Sequence, residues 1–140
     1  METLNILPFL KELDNQINGV KKLWVNADAF YKENVDAWDS IIHSKNNSAE
    51  MRLIASVAKA DAQGDKARLA SQISNLYAFK MLSLHIYSLE LQTSFLITQS
   101  EKLTGQQIEI EELKTLLKKF YDEIQKTYDE SKKAGKDFII

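Results

Sequence analysis

The 140-residue chain holds few groups able to do chemistry. His43 and His85 are its only histidines, and it has no cysteine, so thiolate nucleophiles, disulfides and sulfur-ligated metals are excluded. His85 has no His, Asp or Glu at metal-site spacing, and no HExxH pattern occurs. Carboxylates do pair at helical spacing: Glu33 with Asp36, and Glu109 with Glu112. A carboxylate pair can hold a metal or divide acid and base roles only where burial sets the two proton affinities apart. The neighbours of both pairs are ordinary surface residues, so solvated helix faces are expected. Asp14, Asp28 and Asp39 read the same way.

The serines form no G-x-S-x-G elbow, and GQQIEIEELK lacks the Gly-Lys-Ser or Gly-Lys-Thr of a phosphate loop. The chain is therefore expected not to be an enzyme, with no catalytic residue, cofactor or metal. A catalytic site would have to be assembled across helices, for instance from His85, Glu90 and a residue near Tyr121.

Charge narrows the partners. Eighteen basic and 20 acidic residues give a net charge of -2, and the lysine clusters are interleaved with carboxylates. Arg52 and Arg68 are the only arginines, so a nucleic-acid groove has little to build on. The stretch LYAFKMLSLHIYSLELQTSFLI, residues 76 to 97, is long enough to reach across a bilayer. Lys80, His85, Glu90, Gln92 and several hydroxyl residues make it a poor span, so no integral membrane insertion is expected. The opening METLNILPFLKE has no basic region before an apolar run, which points to a cytoplasmic rather than a secreted protein.

The elements that must position these residues are helices. One proline and four glycines are too few for a sheet protein with many turns. Ile6, Leu10, Leu13, Ile17, Val20, Trp24, Ala27, Tyr31, Asn34, Trp38 and Ile41 follow alternating steps of four and three, the stripe of a helix in a bundle or coiled coil. Pro8 suits the first turn. Breaks are expected at Asn46-Asn47, with Ser48 as the next cap, and at Thr104-Gly105. Met51, Ile54, Val57, Ala58 and Ala62 form a short apolar face, followed by a broad one from Leu69 through Leu84, Leu91 and Phe95. Ile110, Leu113, Leu117, Phe120 and Ile124 begin a third stripe.

The expected architecture is all-α: one domain over residues 1–140, an elongated antiparallel bundle of three long helices over 8–43, 49–102 and 107–135. A short C-terminal tail follows at 136–140. A fourth helix arises if the chain turns near Gly64, although the alanine-rich flanks favour continuity.

Three helices cannot bury every apolar residue of the central one. Phe79, Leu82, Ile86, Leu89 and Ile97, with Phe30 off the first stripe, are the surplus. They are the expected contact residues of a protein–protein interaction or self-assembly module whose partner is itself or another helical protein. The alternative is a small carrier of a lipid or other apolar ligand, held in a gap lined by Leu84, Leu91, Phe95 and Phe120.

Overall fold

The computed structural model describes the backbone of residues 6–101 and 107–139, and the side chains of 7–93 and 114–139. These residues form three helices: α1 (Ile6–His43), α2 (Ala49–Glu101) and α3 (Gln107–Asp137). The Thr104-Gly105 break and Ile140 lie outside the described residues, as do the side chains of Phe95, Ile97, Glu109, Ile110, Glu112 and Leu113.

Pro8 stands in the first turn of α1, where its missing amide proton costs nothing. The first connection closes as its residue types require. The Asn47 amide donates to the Ser44 carbonyl at 3.3 Å, and its side chain donates to the Ile41 carbonyl. Ser48 Oγ accepts the Met51 amide at 3.1 Å, capping α2.

α2 does not turn at Gly64. A glycine inside a helix costs about 1 kcal/mol against alanine. Here Ala62 and Leu69 are buried on either side, and Lys66 is tied to Asp28 of α1 at 2.7 Å. Those contacts hold the helix through its weakest residue. α3 likewise runs past Gly135 to Asp137, two residues beyond the expected end, and the Phe138 amide still donates to the Ala134 carbonyl. The Phe138 ring then meets Trp24 edge-on at 5.2 Å between centroids.

At 53 residues, α2 spans about 80 Å and is the axis on which the other two helices pack. Antiparallel register against α1 is set by three ion pairs: Asp39 with Lys59, Asp28 with Lys66 and Asp14 with Lys80. α3 runs back along the other half of α2, with Phe120 against Tyr87 at 4.7 Å between ring centroids. All three helices overlap only in the middle, where Ile17, Trp24, Leu69, Ile73, Tyr77 and Ala134 make the principal core.

The first stripe shows this geometry residue by residue. Leu10, Leu13, Ile17 and Trp24 are buried, whereas Tyr31, Asn34, Trp38 and Ile41 are only half-buried. The second group lies in a two-helix arm that α3 does not reach. In that arm the contact face of α2 is Ala55, Ala58 and Ala62, small residues alongside the large aromatics of α1. This corrects the expected face of Met51, Ile54 and Val57, which are exposed together with Leu53. Bulk on one helix leaves room only for methyl groups on the other. The buried phase of α2 is therefore set by its alanines.

Candidate interaction surface

Lys80 fixes the centre of the molecule. Its side chain is 3% exposed and donates to Asp14 Oδ1 of α1 at 2.7 Å, with Glu123 of α3 at 3.7 Å, so one ammonium joins all three helices. Burial pulls the Lys80 ammonium down, but the hydrogen bond to Asp14 and the charges of Asp14, Glu123 and Glu130 outweigh it, and the net direction is up. This clamp sets which side of α2 faces inward. Leu84, one turn on, is 0% exposed, and Tyr87, Ser88 and Leu91 are buried with it.

The opposite side of the same helix is apolar too. Phe79 is 48% exposed, Leu82 55%, Ile86 48% and Leu89 60%. Their steps are three, four and three residues, which on a helix make one straight stripe, the spacing that packs against a further helix. The edge of the Phe79 ring meets Phe9 of α1 at 5.9 Å, and Phe9 is itself exposed, so the patch continues onto α1. Exposed apolar side chains are normal singly; a contiguous row at packing spacing is not.

Phe30 is also exposed, but it stands apart in the two-helix arm, where its ring meets Trp38 at 5.9 Å. Ile97 lies outside the described side chains. Of the residues considered for an apolar ligand, Leu84 and Leu91 are buried in the packed core, Phe120 is half-buried against Tyr87, and Phe95 is not described. A cavity of about 470 Å³ opens elsewhere, where α1, α2 and the end of α3 meet. It is lined by Asp14, Asn18, Lys21, Lys80, Lys126 and Glu130, among others, and by none of the four ligand candidates. Of the charged residues around it Lys80 and Asp14 are paired, and the Lys21 ammonium donates to the Tyr77 hydroxyl at 2.6 Å.

His43 and His85 are exposed, as are Glu33 and Asp36. No group of three His, Asp or Glu positioned to hold a metal occurs among the described residues. Among those residues, no helix is long and apolar enough to cross a membrane. Asp14, Asp28 and Asp39 are not the free surface carboxylates expected, because each takes a lysine from α2. Asp28 is the most enclosed of the three. Hydrogen bonds from Lys32 and then Lys66 hold its carboxyl below the ordinary carboxylate value, against the upward push of burial.

Periodicity along one helix does not pick out Phe9, which joins the patch only through the fold. Nor does it single out Lys80 as buried, since its partners are 66 residues before it and 43 after it. The chain matches no family model, no curated protein and no solved structure.

Proposed function

We propose that the protein is a non-catalytic interaction module that offers one face of α2 to a helix of a second chain, either another copy or a different helical protein. The observation that carries this reading is the exposed row Phe79, Leu82, Ile86 and Leu89 on the far side of a helix whose near side is already buried. Burying such side chains is worth about 25 cal/mol for each Å² removed from water, so a partner helix laid along the row gains with every turn. Phe9 widens the row into a shallow platform. The exposed positions of His43 and His85, with no group of three metal-holding side chains among the described residues, support the non-catalytic part.

Photo-crosslinking in the cells that make the protein tests the reading. A photoreactive residue at Leu82 or Ile86 is expected to capture a discrete protein adduct, and the same residue at the exposed Lys118 of α3 is not. Absence of any adduct at both stripe positions, in protein that has folded, would end the proposal.

A further inference from the structure

We infer that the occupant of this face is a second copy of the chain, bound antiparallel about a two-fold axis that passes the stripe at the level of Leu84. The inference rests on the interaction-module reading and names its partner. Three observations lead to it.

The first is the spacing. Steps of three, four and three read the same in both directions, so an antiparallel copy superposes the row on itself. Leu82 then lies opposite Ile86 of the partner subunit, and Phe79 opposite Leu89 of the partner subunit. Such a contact is isologous, with one patch serving both sides, as two-fold dimers require. The large Phe79 also meets a leucine rather than a second phenylalanine.

The second is charge. Between Ala78 and Thr93 the formal charges are Lys80 and Glu90, and Lys80 is buried. The exposed surface along the row thus carries one charge, Glu90, and gives a charged partner almost nothing to pair with. In a parallel pairing the two Glu90 carboxylates would lie side by side. In the antiparallel one each lies level with residue 78 of the other chain, twelve residues or about 18 Å away along the axis. That exceeds the screening length of about 8 Å at physiological salt, so the repulsion is largely screened.

The third is area. Phe9, Phe79, Leu82, Ile86 and Leu89 leave on the order of 450 Å² of side-chain surface in solvent, more than half of the roughly 800 Å² that each partner of a stable complex buries. The exposed rim of Ala78, His85, Glu90 and Thr93 adds to it.

Sedimentation equilibrium of the purified full chain over a concentration series tests the pairing. The expected result is a monomer–dimer equilibrium between 16.0 kDa and twice that mass. Leu82→Glu enters the contact twice because of the two-fold, and it is expected to weaken the dimer on the order of 100-fold. Leu53→Glu, equally exposed but in the two-helix arm, leaves it unchanged. Both variants alter exposed side chains, and circular dichroism is the check that each has folded. Orientation is read by oxidation, because the chain has no cysteine of its own. An equimolar mixture of Leu82→Cys and Ile86→Cys chains is expected to form the mixed disulfide, and Leu82→Cys alone is not.

A wild-type monomer at every concentration overturns the inference. So does a dimer that survives Leu82→Glu, or Leu82→Cys chains that oxidise to each other as readily as the mixture does. A stripe adduct with a different protein, together with a monomeric pure chain, removes the self-pairing while leaving the module reading intact.

Discussion

Removing either partner of the Lys80–Asp14 pair should give very different results. The Lys80 side chain is 3% exposed, Asp14 is 48% exposed and Glu123 is 38% exposed. The Asp14→Ala change leaves the ammonium in place, out of water, without its hydrogen-bonded carboxylate and with Glu123 at 3.7 Å and the more distant charge of Glu130. Stripping one partner from a buried charge costs about 3 kcal/mol. Lys80→Met, by contrast, keeps the apolar stem and returns two half-exposed carboxylates to water. It loses a charge-assisted hydrogen bond worth about 1.5–3 kcal/mol and regains a desolvation cost of similar size, so the net change stays within about 1 kcal/mol. The double variant should resemble Lys80→Met alone, because the stranded charge is gone.

Urea unfolding followed by circular dichroism measures all three. The pair also predicts an alkaline signature. The folded value of Lys80 lies above the ordinary 10.5. Its contribution is therefore complete below the unfolded value and is lost as the pH rises through the folded one, whereas Lys80→Met lacks that loss. If Asp14→Ala costs no more than Lys80→Met, the three-way clamp is wrong.

Other residues make equally direct predictions. Thr127 is 0% exposed and its hydroxyl has no hydrogen-bond partner among the described residues, so Thr127→Val should stabilise the protein by about 1 kcal/mol in the same urea assay. Gly64 lies inside α2 with open space where a side chain would begin, so Gly64→Ala should add about 1 kcal/mol and raise the melting temperature. The Asp28 carboxyl is held below its ordinary 3.8. Its stabilising effect is present above the unfolded value and is lost as the pH falls through the folded one, and Asp28→Asn should flatten that acid limb in pH-dependent unfolding.

Much of the architecture is legible in the residues because α1 repeats one strong signal. The four-and-three stripe from Leu10 to Ile41 carries large apolar side chains at nearly every step, and every one of those positions is buried or half-buried. The start of α2 misleads for a physical reason. Its contact face is made of alanines, which are small and give a weak signal in the sequence, while the conspicuous Leu53, Ile54 and Val57 face solvent. The ion pairs are invisible for another reason: Asp28 and Lys66 are 38 residues apart, and linear spacing relates only residues on the same helix. The surplus on the central helix was readable as a surplus. That Phe79, Leu82, Ile86 and Leu89 form a single outward row depends on where Lys80 and Leu84 point, which the tertiary contacts decide.

The most direct measurement of the central claim is thiol labelling at two engineered positions as the protein is diluted. Ile86→Cys lies on the outward row of α2, and Leu53→Cys is exposed in the two-helix arm. Since no native cysteine competes, each rate reports one site. A docked copy covers residue 86 but not residue 53. Labelling at 86 should therefore be slow in concentrated protein and accelerate on dilution, while labelling at 53 stays constant. Equal rates at residue 86 across the whole dilution series would contradict the account.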